Sequence, residues 1–216
     1  MSRLTRVPVR ERERDEDIAV RGPGLMETNR LSLHPLQRKD AEIIHPHVTE
    51  NVTRLWIGWD TPGALADSQA SVADALSRTA AGAYAGWLAY SRFPDSKGES
   101  RFIGVVSLER LAQPMRGAWF ELNFWLSERH WGKGYAFEMA AVVLDWVASR
   151  TDLRFVTLSW TEGNEGSRSV IERLIRHQQP EVHPAMKNGV SLPVYHYVLD
   201  VDGWFRDQQD RRQAYL

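Results

Sequence analysis

The chain has 216 residues, of which 43% are hydrophobic and 25% are charged, and these proportions are typical of a folded globular protein rather than a disordered, fibrous or membrane-embedded one. The formal net charge of −1 gives no long-range attraction to nucleic acid, and no run of apolar residues approaches the length of about 18 that spans a bilayer. Cysteine is absent, which excludes disulfides, zinc–thiolate sites and a cysteine nucleophile.

The first 26 residues form a separate region by composition. They mix arginine with glutamate and aspartate, show no apolar periodicity and end around Gly22-Pro23-Gly24, so we predict a flexible charged tail over 1–26. This segment contains no apolar signal-peptide region, and we therefore expect a cytoplasmic protein. The remainder, 27–216, is predicted to fold as one domain.

The first half of this domain combines helical patterns with short β-rich runs. Alternating apolar residues predict an opening strand, and two segments with helical starts or spacing follow it. Three later runs are separated by turn residues, which indicates an antiparallel meander. The predicted order is strand 30–34, helix 40–48, helix 61–79, and strands 84–93, 101–108 and 118–126.

The second half begins where the apolar period changes from two to about 3.6. After Gly134, apolar residues recur on one face as far as Arg150, which predicts a long helix directly after a strand. Further patterns predict a strand at 153–160, a helix at 164–176 and a strand at 194–201. The predicted fold class is a single α/β (α+β) domain.

The junction between strand 118–126 and the next helix carries the clearest chemical pattern. Its two glycines, Gly132 and Gly134, allow the backbone to approach a ligand where a side chain would intrude. The unpaired N–H groups of the first helical turn, with the positive end of the helix dipole behind them, form an anion site that suits a diphosphate. Two glycines that merely turn a strand into a helix are the alternative interpretation.

This junction reads Arg129-x-x-Gly132-x-Gly134-Tyr135-Ala136 and resembles the acetyl-CoA diphosphate motif of the GNAT superfamily of N-acetyltransferases. The likeness extends over about residues 27–205 and is to the branch that contains the ribosomal-protein N-terminal acetyltransferases. The other segments that carry it are Arg30-Leu31-x-Leu33-x-Pro35-Leu36-x-x-x-Asp40-Ala41, Phe102-Ile103-Gly104-Val105-Val106, Glu121-Leu122-x-Phe124-Trp125-Leu126, Asn164-x-x-Ser167 and Glu172-Arg173-Leu174.

The resemblance implies a mostly antiparallel sheet of about six or seven strands, splayed between its fourth and fifth strands and flanked by about four helices. It implies acetyl-CoA as co-substrate, with the pantetheine arm between strands 118–126 and 153–160. Backbone N–H groups near Trp125 and Leu126 are then expected to bind the thioester carbonyl and stabilise its oxyanion. The residues expected to contact the cofactor are Trp125, Leu126, Arg129, His130, Trp131, Gly132, Lys133, Gly134, Tyr135, Ala136, Asn164 and Ser167.

Acetyl transfer from a thioester requires a neutral amine, whereas an α-amine has a pKa of about 8 and a lysine side chain one of about 10.4. A general base is therefore useful. Glu121 is the candidate, because strand alternation places it on the face of Asn123 and Trp125, opposite Leu122 and Phe124. A carboxylate that merely binds a neighbour on the sheet face is the alternative.

The resemblance also implies a tyrosine, seven residues after Asn164, that protonates the departing thiolate. The chain has Ile171 at this position, so Ser167 is the expected substitute. Asn164 and Ser167 are equally the residue types that cap the start of a helix, and the two roles can coexist. Because no cysteine is available to carry an acyl group, direct attack of the amine on acetyl-CoA is predicted.

Acceptor contacts are predicted for Trp56, Trp59 and Tyr195. The two tryptophans fall between the first two helices, where the acceptor cleft of the family lies, although packing of the helices explains them as well. Tyr195 lies in a segment that resembles the closing hairpin of the family fold. The resemblance implies a peptide or protein N-terminal amine as acceptor, with a polyamine or aminoglycoside as the alternative.

A different class of function stays open beside the enzyme. A domain that binds acyl-CoA but senses or scaffolds, with little turnover, is favoured by Ile171 and by the absence of the Gly-Phe pair that the family places after helix 164–176. The seven histidines show no spacing typical of metal ligands, so no metal site is predicted. We expect no nucleic-acid or membrane partner, and both a monomer and a homodimer remain open.

Overall fold

The computed structural model describes residues 19–20, 23–49, 63–93, 101–175, 178–187 and 189–214. Its centre is an eight-stranded sheet with the order β1-β2-β3-β4-β5-β6-β8-β7. Neighbouring strands are antiparallel except for β5 and β6, which are parallel. The strands are β1 (Met26–Glu27), β2 (Leu31–Pro35), β3 (Tyr84–Ser91), β4 (Phe102–Met115), β5 (Ala118–Leu126), β6 (Phe155–Thr161), β7 (Glu181–Lys187) and β8 (Val190–Asp200).

Five α-helices are found among the described residues, and none of them is both long and apolar enough to cross a membrane. Short 3₁₀ turns precede α1 and the loop before α3. The helices are α1 (Ala41–Val48), α2 (Leu65–Ala80), α3 (Tyr135–Arg150), α4 (Glu165–Ile175) and α5 (Val201–Ala214).

The helices cover both faces of the sheet, and each face has its own hydrophobic core. On the first face, Ile44 of α1 and Val72 of α2 pack on Leu88 of β3 and Val105 of β4, and we call this the α1–α2 face. On the second, called the α3 face, helices α3, α4 and α5 cover alternate residues of the same strands, such as Trp87. The two-residue period of a strand explains this division, because successive side chains point to opposite sides of the sheet.

β5 and β6 separate soon after they meet. Among the described residues, these strands pair at one position, where Glu121 lies opposite Thr157. Beyond it, residues 123–126 of β5 and 159–161 of β6 have no ladder between them. The splay that the sequence predicted between strands 118–126 and 153–160 is therefore confirmed, and it leaves unpaired backbone at the centre of the sheet.

Packing extends N-terminal to the predicted domain boundary at residue 27. Val20 has no exposed surface, and its N–H donates to the Gly82 carbonyl at 2.9 Å. The indole N–H of Trp87, itself fully buried, donates to the Gly24 carbonyl at 2.9 Å. Residues 19–20 and 23–26 thus belong to the packed domain, whereas residues 1–18 lie outside the described residues and a flexible tail there stays a prediction.

The predicted fold class is confirmed, with differences at the margins. The sheet has eight strands rather than six or seven, since β1 and β7 each add an edge strand. β4 continues to Met115, beyond the predicted end at 108. α5 was not predicted, because this helix is polar along most of its length and, among its residues of described burial, only Val201 and Trp204 are buried.

Candidate functional site

The loop between β5 and α3 turns the chain sharply from the sheet into a helix. A 3₁₀ turn at Glu128–His130 is followed by Gly132 with φ of +69° and Gly134 with φ of +76°. Both angles lie in the left-handed region, which glycine adopts without a Cβ clash. Tyr135 and Ala136 then open α3, with Ala136 buried in the core of the α3 face.

A row of main-chain N–H groups in this loop has no hydrogen-bond acceptor within the described part of the chain. The N–H groups of His130 and Trp131 are used inside the 3₁₀ turn, by the Ser127 and Glu128 carbonyls at 2.9 and 3.0 Å. The next main-chain bond joins the Glu138 N–H to the Gly134 carbonyl at 3.2 Å. With no acceptor among the described residues, the amides of 132–136 lie at the positive end of a 16-residue helix, an arrangement that favours binding of an anion.

The two glycines of the loop have different surroundings. A Cβ on Gly132 would stand in open space, with no described atom within 4 Å. A Cβ on Gly134 would instead face Arg30, 3.6 Å from its Nη2 atom. Both glycines are needed for their backbone angles, but only Gly132 also has open space on its Cβ side among the described residues, a distinction that the sequence pattern could not make.

The side chains of the predicted cofactor-binding residues mostly hold the loop itself. Lys133 Nζ donates to the Arg129 carbonyl at 2.8 Å, and the indole N–H of Trp131 donates to the Leu126 carbonyl at 3.0 Å. His130 is buried, and burial followed by the charge of Arg129 lowers its pKa to about 4. His130 is therefore a neutral packing residue near pH 7, so only its neighbours offer charge to a ligand.

Glu121 lies where β5 and β6 part, and its carboxylate reaches across the gap. Ser159 of β6 donates its hydroxyl proton to Glu121 Oε1 at 2.6 Å. Burial raises the pKa of Glu121, the hydrogen bonds from Ser159 and Asn123 lower it, and the negative charge of Glu109 raises it further. The carboxyl group thus binds a proton more tightly than an exposed glutamate does, which suits a base that works near neutral pH.

Glu109 of β4 lies directly opposite Glu121 in the β4–β5 ladder. Like charges at opposite positions are unfavourable, and Arg78 of α2 offsets this one with a 2.6 Å ion pair to Glu109. The same guanidinium lies 5.7 Å from the ring centroid of Tyr84. No sequence motif singled out Glu109, Arg78 or Tyr84, because only the strand register and the docking of α2 bring them to Glu121.

A cavity of about 510 Å³ lies between α2 and the sheet, beside these residues. Its charged lining groups are Asp74 and Arg78 of α2 and Glu109 of β4. Within the described part of the chain, the buried indole N–H of Trp125 has no hydrogen-bond partner. Apolar side chains make up much of the remaining wall: Leu36, Ile44, Val48, Val72, Val105 and Trp125.

The structure does not bring Tyr195 to the face of Glu121. Tyr195 lies opposite Trp160 in the β6–β8 ladder and stacks on it, with ring centroids 4.1 Å apart and ring planes 6° from parallel. Trp160 belongs to the core of the α3 face, and directly opposite residues share a face. The neighbouring His196 lies opposite Ser159, which places His196, and not Tyr195, on the side of Glu121.

Asn164 and Ser167 form the start of α4. Asn164 Oδ1 accepts the backbone N–H of Ser167 at 3.1 Å, which is a helix cap. Ile171, which occupies the position of the family's tyrosine, is 1% exposed and packs in the core of the α3 face. Position 171 therefore offers no proton donor to a ligand. Ser167, which is half-buried, supplies the hydroxyl group of the Asn164-x-x-Ser167 motif.

The acceptor role predicted for two tryptophans has no structural counterpart in the described residues. Trp56 and Trp59 lie outside them, so their acceptor role stays a prediction. Across the described ranges, no group of three or more histidine, aspartate or glutamate side chains is arranged to hold a metal ion.

An open sheet splayed between two parallel strands, with a glycine loop and a helix N-terminus beside the splay, offers a main-chain anion site next to a gap in the sheet. Comparison with protein-family models gives a match of residues 30–174 to the family described as "Acetyltransferase (GNAT) domain". The chain therefore belongs to the GNAT acetyltransferase family, and it is an N-acetyltransferase that uses acetyl-CoA. No curated protein sequence gives a significant match.

Solved structures share the fold at low sequence identity. RimL, a ribosomal L7/L12 α-N-protein acetyltransferase in complex with coenzyme A, has a TM-score of 0.65 and 18% identity, over 82% of this chain and 99% of that one. An acetyltransferase from Salmonella typhimurium, which modifies the N-terminal serine of L7/L12, has a TM-score of 0.62 and 19% identity over 80% and 97%. A chimera of the Vibrio cholerae spermidine N-acetyltransferase SpeG and hSSAT has a TM-score of 0.64 and 18% identity over 81% and 98%.

Proposed function

We propose that this enzyme acetylates the N-terminal amine of a peptide or protein, by direct attack of that amine on acetyl-CoA. The observation that carries the proposal is the position of Glu121, at the single pairing point of the two splayed strands and on the face of the cavity beside α2. With the amine in that cavity and the thioester in the gap between β5 and β6, a carboxylate with a raised pKa would lie near both.

The cofactor end of the site is assigned to the main chain. The amides of 132–136 would hold the diphosphate. The Ser127 N–H donates to the Ile103 carbonyl of β4, so by the alternation of an antiparallel ladder the Trp125 N–H also faces β4, whereas the Leu126 N–H faces the gap and would be the donor to the thioester carbonyl. Acetyl-CoA supplies the activated acyl group when it is bound. Asn164 caps α4, and Ser167 would donate a proton to the departing thiolate and take one up from solvent.

Glu121 would remove the proton that the amine must lose. An α-amine has a pKa of about 8, so most of it is protonated at neutral pH and a nearby base raises the reactive fraction. Burial raises the pKa of Glu121 toward that of the amine, which makes the proton transfer easier than it would be to an exposed carboxylate. Ser159, hydrogen-bonded to Oε1, would hold the carboxylate in this position.

The cavity lining favours a peptide over a polyamine. Among its described residues the charges are two carboxylates and one guanidinium, which leaves one net negative charge. A single ammonium group on an apolar residue matches that charge and the apolar wall, whereas a polyamine carries several cations. Among the described residues the indole N–H of Trp125 has no acceptor, which a peptide carbonyl would offer and a protonated polyamine would not.

The proposal is tested with three acceptors at equal concentration: a peptide with a free N-terminus and an apolar first residue, the same peptide N-terminally blocked but containing lysine, and spermidine. We expect CoA release and an acetylated product, identified by mass spectrometry, with the first acceptor alone. Faster acetylation of spermidine would contradict the proposal in favour of a polyamine enzyme. Tight acetyl-CoA binding with background thiol release from a broad amine panel would contradict it in favour of a sensor.

A further inference from the structure

The proposed function assigns no role to Arg30, although the Arg30 side chain reaches the loop before α3. Arg30 Nη1 donates to the Lys133 carbonyl at 2.9 Å. The guanidinium carbon lies 4.5 Å from the ring centroid of Tyr135, a cation–π contact, and Nη2 lies 3.6 Å from the place of a Cβ on Gly134. One side chain from just before β2 thus contacts Lys133 and Tyr135 and lies beside Gly134 between them.

Glu138, in the first turn of α3, holds Arg30 in this position. Arg30 Nε and Nη2 each lie 2.6 Å from Glu138 Oε2, and the backbone N–H of Arg30 donates to Oε1 at 3.1 Å. The hydroxyl of Thr28 donates to the same Oε1. The Glu138 side chain is only 18% exposed, so this charge-assisted cluster is less screened by solvent than an ion pair on the open surface.

The bond to the Lys133 carbonyl also orients the next amide. In a planar trans peptide, the N–H points to the side opposite the carbonyl of the same unit. Because the Lys133 carbonyl points at Arg30, the Gly134 N–H points away from it, and this N–H has no acceptor within the described part of the chain. The left-handed angle of Gly134, φ +76°, permits this arrangement.

The Arg30–Glu138 pair affects the charge of the site as well. A lone carboxylate in the first turn of α3 would repel a diphosphate bound at the helix N-terminus. The ion pair with Arg30 compensates the charge of Glu138, and the guanidinium group of the pair lies beside Gly134. The compensated charge of Glu138 and the orientation of the Gly134 N–H therefore both favour binding of a diphosphate.

We propose that Arg30 is a positioning residue for acetyl-CoA: it holds the Lys133 carbonyl so that the Gly134 N–H faces the diphosphate, and Glu138 anchors it. The role of Arg30 rests on the proposed function, since it takes the amides of 132–136 as the diphosphate site. The residue is expected to act on cofactor binding and not on the chemical step, because its contacts lie in the loop and not at Glu121.

The test compares Arg30→Gln and Arg30→Lys with Arg92→Gln as the matched control. Arg92 Nη1 donates to the Thr28 carbonyl at 2.6 Å, so it serves the same segment, and none of its bonds among the described residues reaches the loop. We expect both Arg30 variants to raise the acetyl-CoA KM and the coenzyme A Kd roughly tenfold, the worth of one charge-assisted hydrogen bond, with kcat nearly unchanged. Arg92→Gln should match the parent protein. Parent-like affinity in Arg30→Lys would mean that charge alone matters and would overturn the positioning role.

A double variant separates orientation from repulsion. Arg30→Gln leaves the Glu138 carboxylate unpaired, whereas Arg30→Gln with Glu138→Gln removes that charge too. Affinity that stays weak in the double variant supports the orientation of the Gly134 amide, and affinity restored to the parent value overturns it. Melting temperatures identify any variant whose fold is lost.

A Gly134→Val variant keeps the two proposals distinct. If it weakens coenzyme A binding while Arg30→Gln does not, only the role of Arg30 fails. If neither variant weakens binding, the diphosphate site fails.

Discussion

The two ends of the proposed active site, the loop before α3 and the face around Glu121, are built in opposite ways. The loop is one continuous stretch, in which two glycines with positive φ and the start of a helix follow each other within a few residues. The face around Glu121 is assembled from α2, β4, β5, β6 and β8, and its members Arg78, Glu109, Ser159 and His196 come from distant parts of the chain.

This difference explains which interactions a sequence motif can represent. A local turn requires particular residues at fixed spacing, so the loop leaves a pattern in the sequence. A cross-strand neighbour is determined by register, and a shift of one residue moves every side chain to the other face. The loop is not wholly local, however, because Arg30 reaches it from just before β2.

The largest effect on coenzyme A binding is expected from a substitution of Gly134. Gly134→Val should weaken coenzyme A binding by roughly 100-fold, because a β-branched residue at φ +76° is strained and would turn away amides worth about 1.5 kcal/mol each. Isothermal titration calorimetry measures the change. Gly117→Val is the matched control, since Gly117 has a φ of +83° and open space around its Cβ in the β4–β5 turn. Equal affinity in the Gly134 variant and the parent protein would exclude this loop as the diphosphate site.

The next effect concerns the face around Glu121. Glu121→Gln should reduce kcat/KM by about 100-fold, the usual contribution of a general base, without changing coenzyme A affinity. The deficit should be greatest at low pH, between the raised pKa of Glu121 and the amine pKa of about 8, and should shrink as the free amine accumulates. A pH series measured beside the surface control Glu172→Gln checks this, and a rate equal to the parent at every pH would leave Glu121 without a catalytic role.

Glu121→Gln is expected to lower activity but to raise the stability of the folded protein at neutral pH. Because burial raises the pKa of Glu121 in the folded state, the native protein holds this proton more tightly than the unfolded chain does. Its contribution to stability is therefore lost as pH rises through the raised pKa, and the ionised carboxylate is a cost at neutral pH. Glu121→Gln should accordingly melt at a higher temperature than the parent at pH 7, with the difference vanishing below the ordinary carboxylate range.

The smallest effect distinguishes two adjacent residues of β8. His196→Gln should raise the acceptor KM by about two- to fivefold, as expected for one polar contact of 0.5–1 kcal/mol, because His196 shares the face of Ser159 and Glu121. Tyr195→Phe should leave it unchanged, since the Tyr195 hydroxyl bonds Glu162 and its ring stacks on Trp160. Steady-state kinetics with the peptide acceptor decides between them, and the reverse result would place the acceptor on the other face.

Most of the fold and one end of the site were predictable. The strand at 118–126 and the helix from Gly134 to Arg150 were predicted close to their observed bounds, because their apolar periods are strong. Membership of the GNAT family and the use of acetyl-CoA are confirmed. The extension of β4 and the polar helix α5 could not be predicted, because an irregular hairpin with β5 and two buried anchors, not an apolar period, stabilise them.

The sequence by itself determined the class of protein and the glycine loop, and it supplied the candidate base, since each follows from residue types at fixed spacing within short segments. Only the tertiary structure decided that Glu109 lies against Glu121, that His196 rather than Tyr195 faces it, and that Arg30 holds the loop. The physical reason is that strand register and side-chain reach across the sheet depend on the packing of the whole domain, and no local period encodes them.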